Sequence, residues 1–460
     1  MYLPKYLPKS ERLIQILILL SLPLITLKVI QGGIIFVGIL AAGLAALTIF
    51  FYPFFGFLIM AFFIPMEVMT ILTPSMTAIK ILGIWTFFCW LVHQTIAKKP
   101  IKTDKVFWLM IAFLGWAFMS SLWAMDQKVS LHYFKTLIQL VGLYFLTINL
   151  INTERHLNCT IVAFLLGGLI CGVLGVKTFL TEGTVSPYYR MAMEGQNPNN
   201  FGVIVAIEII FSWYFISRYK ESLNRLFLSV ILASFFFCLI FSQSRGAWIA
   251  LTVAFMVYIF FLQEKNVKSL LNISFLFFVI LLVLVLITHF SPENAILVKK
   301  RASTISDFGI VDWGIKFDFW QVGFRMWESS PLFGVGLSNF PIAFPQFSIT
   351  HGLRYFTGSF FQWDPHSDYI SIICELGLIG FLIWAAILFS CFKRGKDDKQ
   401  YKMLMIPLLI ILLVIGLKGT YYLEKFYWLI LGLIGTSANF NTAPKLKSLN
   451  DDLNFIGETE

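Results

Sequence analysis

The sequence predicts an all-α polytopic membrane protein, with about 12–14 transmembrane helices and a long extramembrane loop carrying amphipathic helices. Three observations lead there. The 460 residues are 58% apolar and 13% charged, with a mean hydropathy of +0.80, whereas an average soluble domain carries roughly 25% charge. Apolar runs of about 20 residues recur along the chain, each long enough to cross a bilayer core as a helix. The runs are continuous, not alternating, which excludes a transmembrane β-barrel.

The elements follow in order. Lys5, Lys9 and Arg12 precede an apolar run that reaches about residue 30. No small-residue cleavage pattern closes it, so it reads as span 1 and not as a signal peptide. Spans 2 and 3 share the stretch 34–72, broken near Tyr52-Pro53. Spans 4 to 7 are expected near 81–95, 106–123, 133–151 and 160–180. Spans 8 to 11 are expected near 200–217, 226–241, 246–262 and 270–290. A long polar segment, 291–365, separates these from spans 12 to 14 near 366–389, 403–417 and 421–434. The chain thus divides into spans 1–11 (1–290), a loop (291–365), spans 12–14 (366–437) and a polar tail (438–460) expected to be disordered.

Lysine and arginine placement orients the bundle. With the N-terminus inside, the even-numbered connections are cytoplasmic; they include 97–105, 217–225, 263–268 and 392–402. With both tails they hold more than half of the 35 Lys and Arg residues. The net charge of +10 therefore reflects topology, and no nucleic-acid partner is expected. The six cysteines, Cys89, Cys159, Cys171, Cys238, Cys374 and Cys391, lie in or beside apolar spans without CxxC spacing and read as small hydrophobes. The loop 291–365, the loop 181–198 and the tight connection 242–245 then lie outside. In the loop, Trp313, Phe317, Trp320, Phe324 and Trp327 recur at roughly helical spacing, as in amphipathic helices at a membrane surface.

Three outside connections share a design. Asn197-Pro198 is an N-cap and N1 signal for span 8; Ser244 can cap span 10, with Arg245 in its first turn; Asp364-Pro365 precedes His366, Ser367 and Asp368 at span 12. Helix N-termini expose unpaired N–H groups and bind phosphates, so three on one side, two joined by an arginine, form a candidate anion site. Arg245 lies between two apolar spans. A charge there is a functional candidate; the plainer reading is a residue that snorkels and steadies a hairpin. Arg190 and Arg325 have plainer readings as surface charges, and Lys299, Lys300 and Arg301 as lipid-headgroup contacts. His366 is expected in the first turn of its helix, where the N-terminus favours a neutral, proton-accepting imidazole. Asp368 could orient it. Of the other histidines, His93 and His156 fall on the inside half, and His132, His289 and His351 lack motif context. The loops hold no HExxH and no Cys/His cluster, and the chain has no Walker A motif, so neither metal nor cofactor is expected. Glu375, inside span 12, is expected to be a buried polar partner of an arginine.

Four elements then fit together. His366-Ser367, nine residues, and Gly377-Leu378-Ile379-Gly380 resemble an H-[N/S/Q]-x9-G-x-x-G signature. The run 334–340, GVGLSNF, resembles a PLxGxGxxxF element; Ser244-Arg245-Gly246 and Asn197-Pro198-Asn199 resemble SRG and NPN elements. Taken in chain order they resemble the bacterial O-antigen ligase and Wzy-type O-antigen polymerase superfamily, over about 190–390. The resemblance implies a bacterial inner-membrane glycosyltransferase with cytoplasmic termini and a periplasmic site. It would move a glycan from undecaprenyl diphosphate onto an acceptor hydroxyl, with inversion and without metal. The acceptor is lipid A-core for a ligase and a second lipid-linked glycan for a polymerase; the ligase is preferred. Carried over, His366 would activate the acceptor, and Arg190, Arg245 and Arg325 would bind the donor. A lipid-linked oligosaccharide transporter is the competing class. It should show paired halves and mid-membrane polar residues, whereas the polar residues here gather on one face. A non-catalytic assembly protein predicts that His366→Ala retains activity.

Overall fold

A computed structural model describes residues 41–73, 76–182, 190–218, 222–262, 310–349, 364–397 and 401–441. Spans 1 and 11, the Lys299–Arg301 cluster and most of the tail lie outside the described residues. The described chain is helical apart from one small hairpin. In order come α1 (Ala41–Phe51), α2 (Pro53–Phe63), a 3-10 segment (Ile64–Thr70), β1 (Ile71–Thr73) and β2 (Met76–Thr77). There follow α3 (Ala78–Ala97), α4 (Lys105–Ser120), α5 (Gln127–Leu150), α6 (Glu154–Glu182), α7 (Pro198–Arg218), α8 (Ser222–Ser242) and α9 (Arg245–Val257). The last are α10 (Ile310–Ser329), α11 (Phe340–Ile349), α12 (Asp368–Asp397), α13 (Lys402–Ile415) and α14 (Lys425–Asn441).

Seven of the described helical stretches are long and apolar enough to cross a membrane; α1, α4, α9, α13 and α14 are apolar but shorter. The break expected near Tyr52-Pro53 separates α1 from α2, with Pro53 at the first helical position. The helix α7 is buried along its whole middle, from Phe201 to Ile216, and packs on α8, α13 and α9. Around it, α14 packs on α5, α12 on α4, and α2 on α6. Large apolar side chains such as Ile84, Phe88, Val173 and Leu226 face outward, as a bilayer solvent permits.

The segment before α12 is anchored by a break inside that helix. Gly377 has φ +67° and ψ −172°, and a Cβ there would lie 2.2 Å from the Leu332 carbonyl oxygen. The break leaves backbone groups of α12 without helical partners, and buried groups of that kind need others. The run 331–340 fills the gap. Val335 and Gly336 N–H donate to the Cys374 and Glu375 carbonyls at 2.9 and 2.8 Å, and Leu378 N–H donates to Pro331 O at 2.8 Å. The Trp116 indole N–H donates to the Leu376 carbonyl at 2.8 Å. The Glu375 carboxylate accepts from Ser338 N–H (2.8 Å), Phe340 N–H (3.2 Å) and the Tyr422 hydroxyl (3.3 Å). Its expected arginine partner is thus replaced by the start of α11, where unpaired N–H groups attract a carboxylate. Asn339 completes the docking: its Oδ1 accepts from Asp126 N–H at 2.7 Å, and its Nδ2 donates to Ser130 Oγ at 3.1 Å. The helix α10 buries Phe319, Val322 and Met326 against Phe340 and Phe344, while Phe317 and Phe324 stay exposed.

Candidate active site

A cavity of about 370 Å³ opens at one end of the bundle. Four connections line it, all expected on the outside. Each is placed by an identifiable local device.

The first carries Arg190. Its Nε donates to Ser242 O at 3.0 Å and its Nη2 to Asn199 Oδ1 at 2.7 Å, so the guanidinium ties the loop before α7 to the end of α8. Asn197 caps α7 as expected, its Oδ1 accepting from Asn199 N–H at 2.8 Å, with Pro198 as first helical residue. The second is the tight turn between α8 and α9. Gln243 takes φ +51°, Ser244 stands at the N-cap position, and Arg245 opens α9. Ser244 makes no side-chain cap, contrary to expectation. It is 1% exposed and packs against Gly202 of α7, where an added Cβ would lie 2.6 Å from its own Cβ; its hydroxyl lies there too.

The third connection carries the histidine. His366 is not in the first turn of its helix: α12 begins at Asp368, and His366 takes φ +49° two residues earlier. The reason lies in Asp364. Its Oδ1 accepts from the His366 backbone N–H at 2.5 Å, a local turn that Asp favours. The same oxygen lies 2.8 Å from the His366 ring Nδ1. Asp364, not Asp368, therefore orients the imidazole. Asp368 is buried and accepts from Tyr421 and Tyr422 N–H at 2.6 and 2.9 Å. Trp320 of α10 fixes the turn from outside, donating to Pro365 O at 3.0 Å. The His366 ring stays 42% exposed and faces the cavity. Burial pushes the Asp364 carboxyl up. Hydrogen bonding and charge from His366, with the Thr420 hydroxyl, outweigh it and hold the carboxyl below the usual carboxylate range.

The fourth connection joins α13 to α14 and supplies Lys418, Gly419, Thr420 and Tyr421. Lys316 of α10 reaches it, its Nζ donating to Lys418 O at 3.1 Å. Burial, then Lys316 and Arg245, push the Lys418 ammonium down to about 8. Arg190, Arg245, Lys316 and Lys418 thus share one cavity whose lining has Asp364 as its carboxylate. Such a site favours a multiply charged anion.

The cavity brings together three of the four residues expected from sequence: His366, Arg190 and Arg245. Arg325 is not among its lining residues; it lies nine positions beyond Lys316 on α10, about 13 Å along the axis. Its Nη1 is buried and has no hydrogen-bond partner among the described residues. Lys316, Lys418 and Asp364 were missed. For Asp364 a signal existed, because Asp two residues before a turn residue makes this backbone contact. The two lysines belong to segments with no local motif.

Residues 227–385 match the family model described as O-antigen ligase. The match takes in Arg245, Lys316, Asp364, His366 and the 331–340 run. It leaves Arg190, Asn197 and Lys418 outside. No curated protein matches the chain.

Proposed function

We propose, supported by the match of residues 227–385 to the O-antigen ligase family model, that this multi-pass membrane protein transfers a glycan from undecaprenyl diphosphate to an acceptor hydroxyl on the periplasmic side of a bacterial inner membrane. The observation that carries this reading is the convergence of Arg190, Arg245, Lys316 and Lys418 on the cavity that holds the Asp364–His366 pair. The cations hold the diphosphate. Guanidinium groups do so bidentately, and the first turns of α7 and α9 add N–H dipoles.

The balance of the step is direct. Asp364 accepts a hydrogen bond from His366 Nδ1–H, which leaves the Nε2 lone pair as base. The acceptor oxygen bonds to the anomeric carbon of the donor sugar, and its proton passes to Nε2. The bond from that carbon to the diphosphate oxygen breaks, and its electron pair leaves with the diphosphate. Attack from the opposite face inverts the anomeric centre. Charge developing on the leaving group is met by cations already in place. No step calls for a metal. Arg325 is kept as a donor contact outside the cavity lining. Of the two acceptors, lipid A-core is preferred, making the protein a ligase; a second lipid-linked glycan would make it a polymerase.

The test supplies purified protein with lipid-linked glycan and each acceptor in turn, with and without EDTA. Transfer that survives EDTA and falls by roughly 10²–10³ in Arg245→Ala is expected. Arg245→Ala turning over at the wild-type rate, or activity lost to EDTA, overturns the mechanism.

A further inference from the structure

A second cavity of about 480 Å³ lies beside the cationic one, and Asn197 and Asn200 line both. Its chemistry is different. Glu67 is paired with Lys425, and Glu424 Oε1 accepts from Asn200 Nδ2 at 3.1 Å. Gln196 adds a neutral amide, and Val68 and Leu423 add apolar wall. Lys80 lines the cavity as well, so two carboxylates face two ammonium groups and no cationic excess is left for a diphosphate. Sugar hydroxyls, which donate and accept, are well served by carboxylates, amides and ammonium groups interleaved with apolar surface. The walls are fixed before any ligand arrives. Gln196 Nε2 donates to Pro65 O at 3.2 Å, tying the loop before α7 to the 3-10 segment after α2. At Gly195, φ +74°, an added Cβ would lie 3.0 Å from Val68, so the two segments meet closely.

We propose that this second cavity is the subsite for the acceptor saccharide. Its contents then approach the donor sugar from the Asn197–Asn200 side, while the leaving diphosphate stays among the cations. The inference rests on the glycosyltransferase reading and adds the place of the second substrate. It also separates recognition. Donors that share a diphosphate are read by charge in the first cavity, and acceptors by hydroxyl pattern in the second.

The experiment uses the full chain in lipid nanodiscs, with wild type, Glu424→Gln, Val68→Trp and a control, Leu166→Trp, on the exposed side of α6. Glu424→Gln keeps the shape and so guards against a folding defect in Val68→Trp. Three quantities are read: binding of undecaprenyl diphosphate, KM for lipid-linked glycan donor, and KM for acceptor. Lipid A-core and a lipid-linked repeat unit are offered as acceptors in separate arms. The expected result is an acceptor KM raised about tenfold in Glu424→Gln and Val68→Trp, with donor KM and undecaprenyl diphosphate binding within about twofold and the control unchanged. An acceptor KM that stays at the wild-type value in both variants overturns the subsite alone, as does an equal rise in donor KM. Wild-type protein that transfers to neither acceptor overturns the glycosyltransferase reading and the subsite with it.

Discussion

The 331–340 run and the 364–368 turn both carry motif residues and backbone at positive φ, yet they do opposite things. In the first, Gly334 and Gly336 take φ +71° and +102°, Leu337 and Asn339 are fully buried, and the main-chain contacts go to α12. In the second, His366 takes φ +49° but leaves its ring 42% exposed over a cationic cavity. The first satisfies the backbone of a broken helix; the second holds an imidazole at the wall of a cavity. Motif resemblance treats them alike. Burial and the direction of the polar atoms separate them.

That contrast is open to attack at both ends. Gly377→Val is expected to do the most damage. It combines a conformation that a β-branched residue scarcely adopts with a Cβ 2.2 Å from Leu332 O, at a cost of at least about 3 kcal/mol. Thermal unfolding of the purified protein, or its yield, should register the loss; a normally folded Gly377→Val would show that the break in α12 is not needed. His366→Ala should behave in the opposite way. The transition temperature should hold while transfer falls by roughly 10²–10⁴. Wild-type turnover in that variant would return the turn to a structural role.

Asp364→Asn is a finer probe. It keeps the shape but removes the carboxylate that fixes the ring, so transfer should fall by about 10–100-fold with little change in stability. The smallest effect is on donor affinity against pH. Burial and the neighbouring cations bring Lys418 down to about 8, so it is charged below that pH and neutral above it. Binding of undecaprenyl diphosphate should weaken a few-fold as pH rises through about 8 and recover as it falls. Lys418→Arg, which stays charged throughout, should flatten that part of the profile; a step that persists assigns it to another group.

Much of the architecture was legible. Continuous apolar runs announce helices that cross lipid, because the bilayer demands internally bonded backbone. The helices α3 to α9 and α12 to α14 fall on the runs that sequence singled out. Two details misled for local reasons. Asp364-Pro365 looks like a helix start, but the Asp side chain bonds the backbone two residues on and delays the helix to Asp368. Ser244 looks like a cap, but close packing on Gly202 turns it toward α7.

By itself, the sequence determined the class of protein and the apolar runs on which most of the described helices fall, and it singled out His366, Arg190 and Arg245 as candidates, because hydropathy and short helix-terminal patterns act over a few residues. Only the tertiary structure decided that Asp364 orients the histidine, that Glu375 serves the start of α11, and that Lys316 and Lys418 join the two arginines. Those pairings bring together connections up to some two hundred residues apart, and no local pattern encodes them. They follow from which helices pack, and so from the shape of the whole bundle.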